Sequence, residues 1–575
     1  MKVLLLTVPV EVYAKSNYER ASHGIEVFST ASRGGGELPI MPKIAIVNIV
    51  KCMEKAGYAR QDIDFYDVDM LLPTDDEVTS YLLKTKPDVI GLSAVVSTCY
   101  SQVKRLSHLA KAALPDTLIA MGGSLSASAN LVLNRTDVDV CVVGDGELAW
   151  LELLKAYKDH DLTMNTDTLL KVKGLAFLNN SGRIEFTGYG ESIPPDENHF
   201  PDYDLLLSGL HDKPELLDNY FRPGMGTLYV RGDPRSKRQS ETRPRLAQLW
   251  TTKGCVARCT FCQRSTKGYR VFNSERLEKH LKELRTRFNV GFIHILDENF
   301  GSNQVYTKEI AEIFHRNEML WFASGVRVSS VDADYIQFLK DHGCMSLKFG
   351  VESGSKTIMD VMEKKFTPER VFDSLKFLAD RGMYSPLAFM VGMPGESIAS
   401  ATETGKFCGR LSHMQGINPR HGGAAIFYAL PLNGTPLFVY GQQKGVIGTS
   451  LDEEEAYLLS VSSTGADKLN YINSNGSKFL DVVWWDYLIR CEALKEFFRL
   501  ANERPLPKRL TFIQMEIARS RPRKIGFFGR IEMFLRDALY SKWVFGSLLA
   551  HPLILGARIA VSVKFMYLKY YFKFR

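Results

Sequence analysis

The stretch GCVARCTFCQR (residues 254–264) decides how the rest of the chain is interpreted. Its cysteines, Cys255, Cys259 and Cys262, follow the spacing Cys-x-x-x-Cys-x-x-Cys, and the aromatic Phe261 precedes the last of them. Three soft thiolates on one loop suit three irons of a 4Fe–4S cluster and leave the fourth iron open to a small molecule. A structural zinc site would need a fourth Cys or His at a comparable spacing, and none follows closely. The sequence therefore predicts an iron–sulfur cluster on this loop.

The cysteine loop follows the first of six apolar strand candidates that alternate with helical patterns. Strands that alternate with helices predict a parallel sheet, and six such units predict a partial barrel with its site at the carboxyl ends of the strands. The predicted strands are residues 248–252, 292–296, 321–326, 346–351, 387–392 and 425–430. The predicted helices are residues 274–288, 307–316, 333–342, 367–381 and 398–411.

The first 160 residues show a similar alternation and predict a second, doubly wound α/β domain. Predicted strands are residues 2–7, 62–66, 88–93, 118–122 and 138–143, and predicted helices are residues 44–56, 79–85, 102–113 and 147–157. Glycine loops follow the fourth and fifth strands, where ligands of parallel sheets bind. A Rossmann nucleotide domain would carry Gly-x-Gly-x-x-Gly after the first strand, but Val8-Pro9-Val10 stands there.

Four segments are therefore predicted: an α/β domain (1–160), a linker region with a hairpin (161–246), a barrel (247–440) and a mainly helical C-terminal extension (441–575). The hairpin is predicted at residues 174–178 and 183–187, and the polar run RGDPRSKRQSETRPR (231–245) is predicted to be a linker or solvated loop. The 575 residues are 45% hydrophobic and 24% charged, which is typical of globular proteins. Nine cysteines are too few and too scattered for a disulfide framework, which favours a reducing, cytoplasmic location.

The net charge of +7 is a property of the tail, because residues 501–575 hold 15 Lys and Arg against four acidic residues. Aromatic and aliphatic residues are interleaved with this charge. A membrane span needs about 20 apolar residues, and the run 544–563 is interrupted by His551, Pro552 and Arg558. The pattern fits an interfacial anchor at the inner face of the membrane, or equally a helical cap on the barrel. No nucleic-acid recognition motif accompanies the charge.

The cysteine spacing with its preceding aromatic resembles the signature of the radical S-adenosylmethionine (radical SAM) superfamily. The resemblance implies a 4Fe–4S cluster on Cys255, Cys259 and Cys262, with S-adenosylmethionine chelating the open iron. It extends along the barrel to motifs that would hold S-adenosylmethionine. Asp297 and Glu298 stand where the methionine amino group would bind, and Arg327 stands where its carboxylate would bind. The ribose motif is matched by Glu352 and Ser353, the adenine-side glycine motif by Gly392, Gly395 and Glu396, and the run after the sixth strand by residues 432–436.

The N-terminal layout resembles the cobalamin-binding domain that precedes many radical SAM barrels. In that family a Ser or Thr after the third strand and glycine loops after the fourth and fifth enclose the nucleotide tail of cobalamin. The residues at these places are Ser93, Ser97, Gly122, Gly123, Ser124, Gly144 and Gly146. The chain lacks Asp-x-His-x-x-Gly, which implies a base-off cobalamin, and it carries Gly-Gly-Ser-Leu where relatives commonly have Gly-Gly-Pro-His.

The resemblance implies a cobalamin-dependent methyltransferase that removes hydrogen from an unactivated carbon through a 5′-deoxyadenosyl radical and delivers a methyl group from methylcobalamin. Such an enzyme would need an electron donor such as flavodoxin or ferredoxin, and a small-molecule or lipid-linked substrate. Two alternatives stay open: a radical cyclase or rearrangement enzyme with the same cofactors, and a non-catalytic iron–sulfur or lipid-binding scaffold. The mass of the product, with or without one added methyl group, distinguishes the two enzymes.

Overall fold

The structure is a computed structural model of the 575-residue chain. It describes residues 1–9, 39–224, 233–264, 266, 268–417, 419, 424–464, 476–477 and 479–501. The basic, aromatic tail, for which the sequence predicts a membrane anchor or a cap, lies outside these residues. Within the described part of the chain, no helix is both long and apolar enough to cross a membrane.

A seven-stranded sheet forms the N-terminal domain, with the strand order β2-β1-β3-β4-β5-β6-β7. Its first five strands are parallel, as predicted. The predicted hairpin is present, and it extends this sheet because β6 pairs antiparallel with β5. The strands are β1 (Val3–Thr7), β2 (Ile63–Tyr66), β3 (Val89–Ser93), β4 (Leu118–Gly122), β5 (Val140–Val142), β6 (Leu175–Leu178) and β7 (Ile184–Phe186).

Helices cover both faces of this sheet, so its central strands are buried on both sides and consist of apolar runs. All five residues of β1 are buried; Leu4 and Leu6 join one hydrophobic cluster, and Val3 and Leu5 join another on the opposite face. The helices are α1 (Ile44–Lys55), α2 (Val68–Leu71), α3 (Asp75–Thr85), α4 (Tyr100–Ala113), α5 (Ala129–Arg135) and α6 (Glu147–Asp159). The doubly wound fold is confirmed.

The segment between the domains contains more structure than the sequence predicts. It holds the short helices α7 (Thr166–Leu169) and α8 (Tyr203–Ser208). Within the predicted solvated loop 231–245, residues Pro234–Thr242 form a helix, α9, so the loop prediction is wrong there. Asp233 caps this helix, and the Arg235 guanidinium donates to the carbonyl oxygens of Lys340 and Cys344 at 2.6 and 2.7 Å. These long-range contacts order a segment whose polar composition alone indicates solvent exposure.

The second domain is an open, partial barrel of six parallel strands, as predicted. Strands β9 (Arg245–Leu249), β12 (Val290–Ile295), β13 (Leu320–Val326) and β14 (Cys344–Phe349) form one sheet, and the short β8 (Arg222–Pro223) pairs antiparallel at its edge. Strands β15 (Leu387–Val391) and β16 (Ala424–Tyr428) form a separate parallel pair. Two isolated bridges, Ser346 to Tyr384 and Glu352 to Phe389, connect the pair to the larger sheet.

Helices surround the outer face of the barrel. They are α10 (Ser274–Phe288), α11 (Gln304–Arg316), α12 (Ala333–Asp341), α13 (Lys356–Val361), α14 (Pro368–Ala379), α15 (Ile398–Met414) and α16 (Pro436–Gln443). A small ribbon of β10 (Thr252–Lys253) and β11 (Arg270–Val271) brackets the cysteine loop. Helices α10 to α15 fill the crossovers between parallel strands that the alternating sequence pattern predicts, and α16 follows the last strand.

Two long helices after the barrel form the described part of the C-terminal extension. Helix α17 (Leu451–Thr464) crosses to the N-terminal domain, where Glu455 accepts from Tyr100 Oη at 2.8 Å and from Lys104 Nζ at 2.5 Å. Helix α18 (Phe479–Leu500) packs on α15, where Gly405 and Gly409 allow close approach: a Cβ there would lie 2.6 and 2.5 Å from backbone oxygens of α18. The mainly helical character predicted for the extension is confirmed for these residues.

Candidate active site

The three cysteines of the predicted cluster lie on one loop after the first barrel strand. Cys255 and Cys259 are half-buried, Cys262 is exposed, and all three thiols are free. Although Cys262 is exposed as a residue, protein atoms surround much of its thiol, and this burial raises the pKa of Cys262 to about 11. The Cys259, Glu298 and Cys255 charges add to this shift, and Lys364 opposes it. The structure therefore brings the three thiols, one carboxylate and one ammonium group into the same neighbourhood.

Backbone contacts fix the shape of this loop. Gly254 has a φ of +85°, and a Cβ there would lie 2.4 Å from the carbonyl oxygen of Gly268, so a side chain does not fit before the first cysteine. Further along, Thr260 donates to carbonyl oxygens at the end of α13: its N–H to Met362 at 3.2 Å and its hydroxyl to Val361 at 2.9 Å. The loop is thus anchored on two sides, which orients its thiolates in advance.

The donor set fits an iron–sulfur cluster better than any other metal site that the described residues offer. Over those residues, no group of three His, Cys, Asp or Glu side chains is arranged to hold a single metal ion. Three thiolates with no nearby fourth protein ligand match a cluster that keeps one iron for another molecule. Cys255, Cys259 and Cys262 would hold this cluster.

The two residues of the acidic pair at the end of β12, Asp297 and Glu298, differ in burial. Asp297 is buried, and it accepts hydrogen bonds from the backbone N–H groups of Thr251 and Thr252 at 2.7 and 3.1 Å and from the Thr251 hydroxyl at 2.6 Å. Burial raises the pKa of Asp297 to about 6, although these hydrogen bonds oppose the shift. Glu298 is exposed and lies close enough to Cys262 to affect its pKa. Of the two predicted residues, Glu298 is the exposed one, and its charge acts on the Cys262 thiol.

Arg327 stands directly after β13 and is half-buried. Its guanidinium has no hydrogen-bond or ion-pair partner among the described residues. A half-buried cation without a counterion is available to bind a ligand carboxylate, which is the role that the sequence predicts for it.

The two residues of the predicted ribose motif after β14, Ser353 and Glu352, also differ in their surroundings. Ser353 is fully buried, its hydroxyl lies 3.1 Å from Thr404 Oγ1, and it therefore fixes α15 to the sheet. Glu352 has a φ of +62°, which is rare for a residue with a side chain and marks strain at many functional sites. Its backbone also connects the two sheets, because its N–H donates to Ala388 and its carbonyl accepts from Met390.

Lys364 is a site residue that the sequence analysis missed. Its ammonium group is buried, 3.2 Å from Glu352 Oε1 and from the Gly350 carbonyl oxygen, and 5.3 Å from the ring centre of Phe261 on the cysteine loop. Lys364 therefore connects the predicted ribose carboxylate to the cluster loop. The run EKKF in which it lies indicates only a solvated charge, so no sequence signal singled it out.

The glycine motif after β15 is built around one buried carboxylate. Gly392 and Gly395 have φ values of +94° and +79°, and the loop between them is held by Glu396, whose Oε2 accepts from the N–H groups of Gly392 and Met393. Burial raises the pKa of Glu396 to about 7, although the two hydrogen bonds oppose this shift. Its other oxygen, Oε1, is buried without a partner in the described structure.

Replacing Glu396 with Gln is expected to stabilise the chain more at pH 8 than at pH 5. The folded-state pKa of about 7 exceeds the reference value of 4.5, so the stability that the protonated form provides is lost as the pH rises through 7. An amide keeps the hydrogen-bond acceptor without the buried charge, and the gain at pH 8 is about 2–3 kcal/mol. Thermal unfolding of both proteins at the two pH values measures the difference. The exposed Glu152→Gln is the control, and an equal effect of Glu396→Gln at both pH values would contradict this expectation.

The predicted cobalamin loops meet at the carboxyl edge of the N-terminal sheet. Ser93 on β3 is paired in register with Gly122 on β4, and Gly122 with Val142 on β5. The loops that follow these three strands therefore begin at the same height along the sheet. Gly123 has a φ of +105°, and a Cβ there would lie only 2.2 Å from the carbonyl oxygen of Ala94. Gly144 has a φ of +88°. Ser93, Ser124 and Gly146 are half-buried at the same edge, and Gly144 is exposed.

This edge fits a large, partly apolar cofactor. The side chains of Val95, Val96 and Tyr189 are 40–59% exposed beside the glycine loops, an uncommon arrangement for apolar groups next to one another. The backbone at Gly123 can approach a ligand closely because no Cβ intervenes. The described residues Ser93, Ser97, Gly122, Gly123, Ser124, Gly144 and Gly146 would hold cobalamin there.

Gln263, the residue after the last cluster cysteine, connects the two sites directly. Its side-chain amide donates to Ser97 Oγ at 2.7 Å, to the Ser124 carbonyl oxygen at 3.4 Å and to the Asn433 carbonyl oxygen at 2.7 Å. Ser97 and Ser124 belong to the predicted cobalamin loops, and Asn433 belongs to the predicted motif after the sixth barrel strand. One side chain therefore joins three motifs that the sequence places far apart.

A buried charge cluster makes a second connection between the domains. Lys253, two residues before Cys255, forms ion pairs with Asp145 in the glycine loop after β5, at 3.0 Å, and with Glu147 at the start of α6, at 2.9 Å. Arg270 pairs with the same aspartate. Burial opposes ionisation of Asp145, but the Lys253 charge and hydrogen bonds from Ser192, Lys253 and Arg270 lower its pKa to about 2. The charged pairs are thus maintained over the whole neutral range.

Family models match both domains. The model described as radical SAM superfamily matches residues 251–408, and the model described as B12 binding domain matches residues 38–154. The first match contains the cysteine loop, and the second contains the glycine loops. The chain belongs to the radical SAM superfamily and carries a B12-binding domain. The resemblance found in the sequence is confirmed, and the cofactors of this radical SAM protein are a 4Fe–4S cluster, S-adenosylmethionine and cobalamin.

Curated relatives of this radical SAM protein include enzymes of two reaction types. It is 25% identical over 372 residues to an uncharacterized methyltransferase of Pyrococcus horikoshii, which covers 62% of this chain and 72% of that protein. It is 23% identical to the cytidylyl-2-hydroxyethylphosphonate methyltransferase of Streptomyces wedmorensis, with coverage of 61% and 68%. It is also 23% identical to the anaerobic magnesium-protoporphyrin IX monomethyl ester cyclase of Cereibacter sphaeroides, with coverage of 64% and 57%.

Solved structures with the same fold contain the expected cofactors. The cobalamin-dependent S-adenosylmethionine radical enzyme OxsB, with aqua-cobalamin and S-adenosylmethionine bound, is similar with a TM-score of 0.57 at 14% identity, over 98% of this chain and 79% of that one. The radical S-adenosylmethionine methyltransferase TsrM from Kitasatospora setae, with cobalamin and a [4Fe–4S] cluster bound, gives a TM-score of 0.54 at 16% identity, over 78% and 76%. At these identities the likeness concerns the fold alone.

Proposed function

We propose that the chain is a cobalamin-dependent radical SAM methyltransferase that transfers a methyl group to an unactivated carbon of a small molecule. The observation that carries this proposal is the direct contact between the cluster loop and the cobalamin loops through Gln263. A methyl donor on one cofactor and a radical generator on the other must both reach one substrate, and this contact supports two sites that lie close together. Methyltransferase names among the relatives also support it.

The bound cofactors would supply the radical and the methyl group, and the chain would supply binding, orientation and exclusion of water. Cys255, Cys259 and Cys262 would hold the cluster. Glu298 would bind the amino group of S-adenosylmethionine, Arg327 its carboxylate and Glu352 its ribose hydroxyls. Lys364 would orient Glu352, because its ammonium group lies 3.2 Å from the Glu352 carboxylate.

The deciding experiment follows the methyl group of S-adenosylmethionine. The anaerobically reconstituted holoenzyme is given methyl-deuterated S-adenosylmethionine, a reductant and a small-molecule extract of the cells that make the protein. We expect a product that has gained one labelled methyl group, together with 5′-deoxyadenosine and S-adenosylhomocysteine. The same reaction without reductant is the control and should give no labelled product.

The second candidate is a radical cyclase or rearrangement enzyme, which the relative of Cereibacter sphaeroides named as a cyclase favours. It would form 5′-deoxyadenosine in the same experiment, but its product would contain no labelled methyl group. That outcome would replace the first candidate by the second. Absence of 5′-deoxyadenosine in the presence of reductant would remove both.

Partners and location belong to the same proposal. A low-potential electron donor such as flavodoxin or ferredoxin would reduce the cluster, and the nine scattered cysteines favour a cytoplasmic enzyme. The basic, aromatic tail favours contact with the inner face of the membrane, because each Lys or Arg near an anionic surface contributes about 1 kcal/mol. A lipid-linked substrate would be consistent with that location.

A further inference from the structure

The barrel sheet has an inner face whose polar residues are not used by any of the cofactor motifs. Alternate residues of its strands, such as Ala247, Ile293 and Leu347, pack with the surrounding helices in the main hydrophobic cluster. Their neighbours point to the opposite side, where Leu246, Phe292, Phe322 and Met345 form a small cluster of their own. We call this second side the inner face.

Three polar side chains lie on the inner face between this small cluster and the carboxyl ends of the strands. Gln248 Nε2 lies 3.3 Å from His294 Nδ1, and His294 Nε2 lies 2.8 Å from Ser324 Oγ, so the row crosses β9, β12 and β13. Gln248 is 2% exposed, and its Oε1 has no hydrogen-bond partner in the described structure. A buried acceptor without a donor is costly unless a ligand supplies one.

Lys348 continues this row on β14. It lies between Leu347 and Phe349, which face the helices, so its side chain points to the inner face. Burial lowers the pKa of His294 to about 3, and the Lys348 charge adds to this shift, which places the ammonium group near the imidazole. His294 is therefore neutral at physiological pH, and Lys348 carries the charge of the row.

Lys348 is half-buried and has no hydrogen-bond or ion-pair partner among the described residues. Two acidic groups at the same end of the barrel are engaged elsewhere: Glu352 pairs with Lys364, and Asp297 accepts hydrogen bonds from Thr251 and Thr252. Partial burial of an uncompensated ammonium group destabilises a folded protein. An anionic ligand would supply the counter-charge that the described residues around Lys348 lack.

We propose that the inner face of the barrel binds an anionic group of the substrate, with Lys348 as its cation and Gln248 Oε1 as acceptor for a substrate O–H or N–H. The ligand is thus a carboxylate, phosphate or phosphonate that also carries a hydrogen-bond donor. This inference deepens the proposed function, on which it rests, by naming the chemical class of the substrate. Arg327 lies on the neighbouring strand end and is assigned to S-adenosylmethionine, so the two cations serve different anions.

Ligand-observed NMR on the intact holoenzyme, with S-adenosylmethionine present, tests this site without turnover. The probes are acetate, methylphosphonate and the neutral acetamide, at matched ionic strength, and saturation transfer to their methyl groups reports binding. We expect saturable binding of at least one anion and none of acetamide. Acetate and methylphosphonate distinguish a carboxylate site from a phosphonate or phosphate site.

Lys348→Met is expected to weaken anion binding at least tenfold, and Lys348→Arg is expected to retain it within threefold. The exposed Lys84→Met is the matched control and should bind as the unchanged protein does. Because an uncompensated charge is removed, Lys348→Met should also keep or raise the thermal midpoint, whereas loss of a purely structural contact would lower it. Lys348→Gln serves as the second variant if the first fails to fold.

Three outcomes would overturn the proposal: no saturable binding of either anion, equal binding of acetamide and acetate, or unchanged anion binding in Lys348→Met. A failure of methyl transfer is a separate result, because the binding measurement requires no reaction. The anion site can therefore fail while the proposed function stands, and the reverse also holds.

Discussion

Replacement of Cys255, Cys259 and Cys262 together by Ala is expected to remove all cluster iron and all formation of 5′-deoxyadenosine. The three thiols are free and lie on one anchored loop, and the other six cysteines of the chain lie outside this loop. An iron–sulfur cluster does not form without its thiolates. Iron analysis, the visible absorbance of the reconstituted protein and chromatography of the nucleoside product measure the two losses.

Cys52→Ala is the matched control for this triple variant. Cys52 is buried in α1 of the N-terminal domain, so its replacement removes a thiol without touching the loop. It should keep the full iron content and the full rate of 5′-deoxyadenosine formation. Reductive cleavage of S-adenosylmethionine by the triple variant would show that the cluster is bound elsewhere.

Gly123→Ala is expected to reduce cobalamin retention at least tenfold. The added Cβ would lie 2.2 Å from the Ala94 carbonyl oxygen, and the φ of +105° is one that residues with a side chain rarely adopt. The loop after β4 must therefore move, and it forms part of the proposed cobalamin site. Cobalamin bound per chain after anaerobic reconstitution and gel filtration, read from its base-off spectrum, measures the effect.

Gly57→Ala provides a matched control outside the proposed cobalamin loops. Gly57 also has a positive φ, +90°, but no atom lies within 4 Å of its added Cβ, and cobalamin retention should stay within twofold of the unchanged protein. Both variants should still form 5′-deoxyadenosine, because the cluster loop is held by contacts of the barrel. Equal retention of cobalamin by the two variants would remove Gly123 from the proposed site.

The strands and the order of the motifs were predictable from the sequence for a physical reason. A parallel strand that is covered on both faces is a short apolar run, as in Val3–Thr7, and its ligands can only be placed beyond its carboxyl end. Cys255, Glu298, Arg327 and Glu352 all follow this rule. Local sequence was sufficient to predict a strand and the motif after it, because the burial of a single strand leaves its pattern in consecutive residues.

Residues that act between elements were not predictable. In the sequence, nothing distinguishes Gln263 from other polar residues. Its role depends on contacts with Ser97 and Asn433, each more than 160 positions away. The sequence around Lys253 and Lys364 likewise indicates solvated lysines. The structure shows that both are at least half-buried and form ion pairs with acidic residues distant in the sequence or on another loop. Helix α9 was missed because its order comes from Arg235 contacts with the barrel, and not from its own polar composition.

The contacts of Gln263 and Lys253 have a consequence for how the spacing between the two cofactors is set. In a two-domain protein joined only by a flexible linker, that spacing would fluctuate with the linker. Here the cluster loop and the residues beside it contact the other domain through Gln263 and Lys253, and these contacts would restrict the spacing between the two proposed sites. A shift of one domain against the other would have to break the hydrogen bonds of Gln263 and the ion pairs of Lys253.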